Sequence, residues 1–195
     1  MKRASLIPTA EATTGPFFPP RYVDAGANDL TVLGGRKARG EAIEIHGRVT
    51  QEDGTVLENL IVEVWQADAG GIFRHPADPR HTEADPDFLG WGRAATDAQG
   101  NYRFRTIRPG APQGRAPHIH FSIFGRVWLS RLVTQMYFPG EPLNGQDRIL
   151  NAVPDAAARE RLVARLVPPT GDPHNALVYE HQIVVRGRKA TPAQP

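Results

Sequence analysis

The sequence predicts an all-β protein: a β-sandwich with one short helix in its C-terminal half and an extended N-terminal arm. Glycine and proline, 19 and 18 of the 195 residues, make up about a fifth of the chain, which is too much for a helical bundle. They occur as turn signals between short stretches in which apolar and polar residues alternate, as in strands. Cysteine is absent, which excludes disulfides, thiolate metal sites and a cysteine nucleophile.

The alternating stretches predict the strands in order along the chain. Ile43, Ile45 and Val49 share one face of the first long strand, which ends at the hairpin-type turn Glu52-Asp53-Gly54. The other predicted strands cover residues 61–65, 93–96, 102–107, 118–124, 131–138 and 177–185. No linker separates them, so the chain is predicted to be one domain. It consists of an arm at 1–30, a β-sandwich core at 31–188 and a frayed tail at 189–195.

One helix is predicted, over residues 154–166. Pro154 and Asp155 are typical of a first helical turn, and Ala158, Leu162 and Leu166 repeat at the i, i+4 spacing of one helix face. A long loop rich in histidine, aspartate and proline is predicted at 67–89. This pattern of many strands and one late helix favours a sandwich over a mixed α/β fold.

The charge pattern excludes several classes of function. The net charge is +2, from 23 basic and 21 acidic residues, and the arginines are scattered instead of forming the aromatic-flanked basic stripe typical of nucleic-acid binding. No apolar run reaches the length of a membrane span, and none follows Lys2 and Arg3 as in a signal peptide. The sequence therefore predicts a cytoplasmic protein.

The segment 118–124 carries the clearest chemical signal. On a strand, His118 and His120 point to the same face, about 7 Å apart, while Ile119, Phe121 and Ile123 point to the other face and into a core. Two imidazoles at this spacing could converge on iron, copper, zinc or nickel. The other interpretation is a pair of hydrogen-bonded histidines in a cleft.

Three motifs together resemble the intradiol ring-cleavage dioxygenases: Val64-Trp65-Gln66-Ala67, Thr106-Ile107-Arg108-Pro109-Gly110 and His118-Ile119-His120-Phe121-Ser122. The resemblance runs in order from about residue 13 to 138 and more loosely to the C-terminus. It implies a β-sandwich of the intradiol dioxygenase type. For catalytic members it implies a ferric ion held by two histidines, matching His118 and His120, and by two tyrosinates.

Both tyrosinate positions of the family lack tyrosine in this chain. Phe73 stands where one is expected, and the shortened segment 108–114 contains no tyrosine where the other is expected. Ferric iron prefers anionic oxygen donors, and two neutral imidazoles alone bind it poorly. The resemblance therefore implies no metal in this chain, with His118 and His120 vestigial.

This loss resembles the α subunit of the family's two-subunit enzymes, whose partner β subunit holds the Fe(III). That resemblance implies an αβ hetero-oligomer that cleaves protocatechuate (3,4-dihydroxybenzoate) with O2 to 3-carboxy-cis,cis-muconate in the β-ketoadipate pathway, this chain alone being inactive. The substrate-pocket positions of such a subunit match Thr13, Gly15, Pro16, Phe17 and Arg126. The vestigial site, called the pseudo-site below, matches Phe73, Arg115, His118 and His120.

Two alternatives stay open from the sequence. A self-sufficient dioxygenase would need a rebuilt metal site with ligands from the 67–89 loop, where the candidates are His75, Asp78, His81, Glu83 and Asp85. A non-catalytic β-sandwich binding module would need no metal and no partner.

Overall fold

The computed structural model describes residues 22–125, 131–168 and 176–193. Over these residues the chain forms short strands and two short helices. The strands are β1 Val32–Leu33, β2 Arg36–Lys37, β3 Ala42–Thr50, β4 Ile61–Gln66, β5 Trp91–Ala95, β6 Asn101–Ile107, β7 His118–Phe124, β8 Leu132–Tyr137, β9 Arg165–Val167, β10 Leu177–Glu180 and β11 Ile183–Val184. The helices are α1 Arg148–Asn151 and α2 Ala156–Glu160. The predicted pocket residues Thr13, Gly15, Pro16, Phe17 and Arg126 lie outside the described residues.

Two sheets form the body of the molecule. The front sheet is antiparallel, with the strand order β5-β4-β7-β8. In the back sheet β3 pairs with β6 on one side and with β10 and β11 on the other, and β9 pairs with β10. Strands β10 and β11 run parallel to β3, and β1 and β2 form a separate small hairpin.

The core lies between these two sheets. Ile43, Ile45 and Val49 of the back sheet are fully buried, as the alternation predicts, and they join one cluster with the inward side chains of the front sheet. At its centre the rings of Phe104 and Phe121 meet edge to face, 6.4 Å apart. Each such buried apolar side chain contributes roughly 1.5–3 kcal/mol. The predicted all-β sandwich is confirmed.

The helix predicted over 154–166 is much shorter in the structure. Helix α2 ends at Glu160, because the backbone of residues 162–164 pairs with the end of β8. The amide of Tyr137 donates to the carbonyl of Leu162, at 2.7 Å, and the amide of Ala164 donates to the carbonyl of Tyr137, at 2.9 Å. Leu162 is buried as predicted, but the strand β9 follows, on which Leu166 is exposed.

A second helix, α1, was not predicted. It begins after Asp147, whose carboxylate accepts hydrogen bonds from the amides of Ile149 and Leu150. Aspartate before a helix is a preferred N-cap. The helix has only four residues, which is too short for an apolar repeat to show in the sequence.

The described part of the predicted tail is not frayed. Thr191 is buried, its amide donates to the carbonyl of Val184, and its hydroxyl accepts from the amide of Val184. The hydroxyl of Thr134 donates to the carbonyl of Pro192, at 2.7 Å. These bonds hold residues 190–192 against both sheets.

The described end of the predicted arm, residues 22–30, lies against the body. Leu30 is buried and its amide donates to the carbonyl of Arg105, so this segment runs along the edge of β6. Among the described residues, no helix is long and apolar enough to cross a lipid bilayer.

His181, in the turn between β10 and β11, is buried in the core. Its ring lies 5.2 Å from that of Phe121, and its Nε2 has no hydrogen-bond partner among the described residues. Burial lowers the pKa of His181 to about 4, so the ring is neutral in the folded protein at neutral pH. The ring of His181 takes up a proton more readily once unfolding exposes it to water.

We expect the free energy of unfolding to fall as the pH drops from 6.5 to 4. Between these pH values the unfolded chain binds a proton at His181 that the folded chain does not bind. This difference lowers the free energy of unfolding by about 3 kcal/mol in total. His181→Leu should remove that part of the fall. Urea unfolding at several pH values measures it, with the exposed His81→Gln as the control variant. An unchanged pH dependence in His181→Leu contradicts the assignment.

Candidate functional site

The register of the front sheet brings four side chains into one row on its outer face. Trp65 lies directly opposite Trp91 on one side and His120 on the other, and His120 lies directly opposite Gln135. In the neighbouring row, His118 lies opposite Tyr137. Directly opposite residues in a sheet point to the same face, so the histidine pair is flanked by an indole, an amide and a phenol.

The two histidines contact each other. Their Nε2 atoms are 3.1 Å apart, and Nδ1 of His118 lies 2.7 Å from the carbonyl oxygen of Ala116. The indole of Trp65 stacks on the ring of His120, with centroids 4.7 Å apart and planes 6° from parallel. His118 is buried, and chiefly for that reason its pKa is lowered to about 4. It is therefore uncharged at neutral pH.

Phe73 faces this pair from the 67–89 loop. Its ring centroid lies 6.4 Å from that of His118 and 6.2 Å from that of His120. The carboxylate of Asp78 accepts a hydrogen bond from the amide of Phe73, at 3.0 Å, which fixes the backbone there. The structure thus brings Phe73 to the histidines as the sequence motif implies, and the ring offers no donor atom to a metal.

Arg115, the fourth predicted pseudo-site residue, is an organising group of the site. Its Nε donates to Asp147 at 2.7 Å, and its NH2 group donates to Gln135 at 2.8 Å and to the hydroxyl of Tyr137 at 2.7 Å. The side chain of Asp147 is fully buried and that of Arg115 is 14% exposed. The guanidinium therefore joins the β6–β7 loop to β8 and to the start of α1.

Asp147 is ionised in this environment. Burial raises its pKa, but the Arg115 hydrogen bond and the amides of Leu150 and Ala116 outweigh it, so the pKa lies below its usual value. Sequence reasoning missed Asp147, Gln135 and Tyr137 as site residues. No local signal marked Asp147, because α1 is too short to be predicted from the sequence, and the strand register that places the other two was not visible there either.

All four tyrosines of the chain lie within the described residues, and each hydroxyl has a partner. Tyr22 donates to Glu63, Tyr102 donates to the carbonyl of His181, and Tyr179 accepts from Arg108. Tyr137 lies beside His118, with ring centroids 5.8 Å apart, and its hydroxyl contacts Arg115, Gln135 and Asp147. Burial raises the pKa of Tyr22, Tyr102 and Tyr137, which disfavours a phenolate at each.

Two of the candidate carboxylates of the 67–89 loop, Asp78 and Asp85, accept hydrogen bonds from backbone amides. Asp78 accepts from the amides of Phe73 and Arg80, and these bonds lower its pKa. Asp85 is buried and accepts from the amides of Arg39 and Asp87. Within the described part of the chain, no group of three or more histidine, cysteine, aspartate or glutamate side chains could hold a metal ion. The structure therefore gives no support to the rebuilt site.

A cleft of about 820 Å³ lies over the histidine pair. Its apolar walls are Trp65, Phe73, Leu89 and Trp91. Its charged lining residues are four arginines and two carboxylates: Arg74, Arg80, Arg115, Arg131, Glu63 and Asp78. Arg131 pairs with Glu63 at 3.2 Å. Flat apolar walls with an excess of positive over negative side chains suit a planar ligand that carries negative charge.

Comparisons with known proteins agree with the fold and the sequence motifs described above. Residues 13–187 match the family model described as Dioxygenase, and the chain is 32% identical to the protocatechuate 3,4-dioxygenase alpha chain of Burkholderia cepacia over 96% of both chains. The chain belongs to the intradiol ring-cleavage dioxygenase family.

Two further intradiol dioxygenase relatives extend this result. The protocatechuate 3,4-dioxygenase beta chain of Burkholderia cepacia is 51% identical over 80% of this chain and 68% of its own length. The structure of an intradiol ring-cleavage dioxygenase from Tetranychus urticae superposes with a TM-score of 0.63, at 18% identity, over 92% of this chain and 94% of the other. The structural likeness supports the fold, and the two sequence relatives are different chains of one enzyme type.

The residues present do not fit the family's metal. Intradiol dioxygenases are non-haem iron enzymes, and a ferric ion prefers anionic oxygen donors. At this site His118 and His120 supply imidazole nitrogens, Phe73 supplies no donor atom, and Tyr137 and Asp147 are bonded to Arg115. Within the part of the chain that the structure describes, the donor set beside the histidines therefore lacks the charge that ferric iron requires.

We expect Asp147→Ala to lower the free energy of unfolding by about 3 kcal/mol or more, because it leaves the guanidinium of Arg115 buried without a counter-charge and removes the cap of α1. Asp155→Ala is the matched control. Asp155 caps α2 through one exposed hydrogen bond, to the amide of Ala157, and its loss should cost about 1 kcal/mol. Urea unfolding of both variants measures the difference, and equal losses would contradict an organising role for Asp147.

Proposed function

We propose that this chain is the non-iron-binding, α-type subunit of a protocatechuate 3,4-dioxygenase, and that a β-type partner holds the Fe(III). One observation carries the proposal: a cleft with the family's histidine pair is retained, while Phe73 faces the pair and, among the described residues, no tyrosinate does. The similarity to the alpha chain of Burkholderia cepacia over nearly the whole length supports the same role.

The proposed reaction inserts both atoms of O2 between the two hydroxyl-bearing carbons of 3,4-dihydroxybenzoate. The carbon–carbon bond breaks, and the two carbons become the carboxylates of 3-carboxy-cis,cis-muconate. Activation of the ring for O2 is the chemistry that the partner's ferric centre would supply. This chain contributes no group to that step, and its part is to shape the pocket of a cytoplasmic enzyme of the β-ketoadipate pathway.

The proposed pocket contribution comes from Thr13, Gly15, Pro16, Phe17 and Arg126. Gly15 and Pro16 let a backbone approach a flat ring closely, and Phe17 provides an apolar wall. Arg126 would pair with the ring carboxylate, since a guanidinium binds a carboxylate through two parallel hydrogen bonds.

The higher identity to the beta chain of Burkholderia cepacia, 51% against 32%, does not decide between the roles of the two chains. The proposal assigns the role from the ligands instead, because a chain that binds the ferric ion must supply anionic donors. Because the chain is similar to both the alpha chain and the beta chain, the most informative experiment offers it each of these chains as a partner.

Co-expression with the beta chain of Burkholderia cepacia tests the proposal. We expect a stable complex that cleaves protocatechuate, with iron in proportion to the partner chain, and no activity from this chain alone. Stoichiometric ferric iron with tyrosinate-type absorption in this chain alone would support a self-sufficient dioxygenase. A stable monomer that ignores both the beta chain and the alpha chain would support a binding module. Either result would overturn the proposal.

We expect Arg126→Ala to raise KM for protocatechuate about tenfold or more in the complex, since a charge-assisted hydrogen bond contributes about 1.5–3 kcal/mol. The iron content of the partner should stay unchanged. Arg48→Ala is the control, because Arg48 lies on the back sheet and bonds Asn101. Steady-state kinetics with protocatechuate and with catechol measure the effect. An equal change for both substrates would exclude pairing with the carboxylate.

A further inference from the structure

We propose that Glu63 is a positioning residue, which joins the two parts of the chain that carry the proposed substrate pocket. Its carboxylate bonds Tyr22, at the start of the described segment 22–30, and Arg131, just before β8. The consequence for substrate binding rests on the proposed function, whereas the joining of these two residues rests on the described contacts alone.

Glu63 lies on the outer face of the front sheet and gives one oxygen to each partner. The hydroxyl of Tyr22 donates to Oε1 at 3.0 Å, and the guanidinium of Arg131 donates to Oε2 at 3.2 Å. The side chain of Glu63 is only 18% exposed. A fully exposed ion pair contributes little, but a carboxylate shielded from water and shared by two donors holds both of them to the strand β4.

Tyr22 is held at its carbonyl and its ring as well as at its hydroxyl. The guanidinium of Arg93 lies over the ring, 4.2 Å from its centroid, and donates to the carbonyl oxygen of Tyr22 at 2.9 Å. The ring of Phe124 meets that of Tyr22 edge to face, at 6.1 Å. Arg93 also lies 4.7 Å from the ring of Trp91, a wall of the cleft. The start of the segment 22–30 is therefore fixed at the edge of the cleft.

Arg131 contacts the same group of side chains. Its guanidinium lies over the ring of Phe124, 4.7 Å from the centroid, while it pairs with Glu63. Phe124 thus contacts both Tyr22 and Arg131, as Glu63 does. We call Tyr22, Glu63, Arg93, Phe124 and Arg131 the anchor cluster.

The carboxylate of Glu63 is directed at Tyr22 and Arg131 instead of at its neighbours in the sheet. Ser122 lies directly opposite Glu63 on β7, but its buried hydroxyl has no hydrogen-bond partner among the described residues. Arg93 lies directly opposite on β5 and donates to Tyr22. An unpaired buried hydroxyl is unfavourable, so this orientation of the carboxylate is specific to the two segments that it joins.

The joined positions lie close in sequence to the proposed pocket residues. Phe17 precedes Tyr22 by five positions, and Arg126 precedes Arg131 by five. Five residues span at most about 18 Å, so the anchor cluster limits how far these side chains can lie from the edge of the cleft. Loss of the Glu63 carboxylate should loosen both segments at once and weaken substrate binding, with no change to the partner's iron.

Hydrogen exchange on the full chain tests the joining without any activity. We expect Glu63→Leu to exchange about fivefold faster or more in peptides that cover residues 22–30 and residues 131–134, since local opening governs exchange. Glu180→Leu is the matched control, because it breaks the Arg165–Glu180 pair on the back sheet and should leave both peptides unchanged. Unchanged exchange of either peptide in Glu63→Leu would overturn the proposal.

Two milder variants each release one segment only. Tyr22→Phe removes the hydroxyl and should speed exchange in the peptide 22–30 alone, and Arg131→Leu should do so in the peptide 131–134 alone. Neither change buries a new polar group, so these variants keep the test decisive where Glu63→Leu fails to fold. Exchange that both variants leave unchanged would overturn the proposal.

Steady-state kinetics of the complex with the beta chain of Burkholderia cepacia test the consequence. Glu63→Leu should raise KM for protocatechuate about fivefold or more with kcat changed less than about twofold, as expected when ground-state and transition-state binding are lost equally. Glu63→Gln, whose amide offers an acceptor to Arg131 and a donor to the oxygen of Tyr22, should restore KM to within about twofold of the unmodified value.

The outcomes separate this proposal from the proposed function. Equal KM values for the unmodified complex and Glu63→Leu, or a fall in kcat alone, would overturn the positioning role while ring cleavage itself upholds the proposed function. An unmodified complex that cleaves no protocatechuate would contradict the proposed function, and the pocket consequence of Glu63 would fall with it. The exchange measurement on the full chain would then still decide whether Glu63 joins the two segments.

Discussion

The ion pair between Arg115 and Asp147 is the interaction on which the cleft depends. It joins three parts of the chain that are distant in sequence: the loop before β7, the strand β8 and the cap of α1. The aspartate keeps the guanidinium in a largely buried position, and the guanidinium in turn orients Gln135 and Tyr137. A buried ion pair of this kind contributes more to a specific arrangement than to net stability, and the arrangement it specifies here is that of the histidine pair.

The charges of the described residues around the histidines do not suit a ferric ion. Arg115 and Asp147 neutralise each other, the two imidazoles are hydrogen-bonded to each other, and burial keeps the proton on Tyr137. These groups offer no uncompensated negative charge to a trivalent cation.

Much of the fold could be predicted from the sequence, because alternation of Ile43, Ile45 and Val49, or of Ile119, Phe121 and Ile123, reports directly on burial. His118, His120 and Phe73 were recognisable as site candidates because they lie within continuous sequence motifs. Gln135, Tyr137 and Asp147 were not, because their roles arise from strand register and from an ion pair across 32 positions of the chain. The helix at 154–166 was overestimated because pairing of residues 162–164 with β8 outweighs helix propensity there.

The most direct test of a metal-free site is anomalous X-ray diffraction at the iron absorption edge, from crystals of this chain in complex with a β-type partner. We expect an iron peak in the partner chain and none between His118 and His120, with their Nε2 atoms at hydrogen-bonding distance. An iron peak of comparable height within coordination distance of both Nε2 atoms of this chain would contradict it.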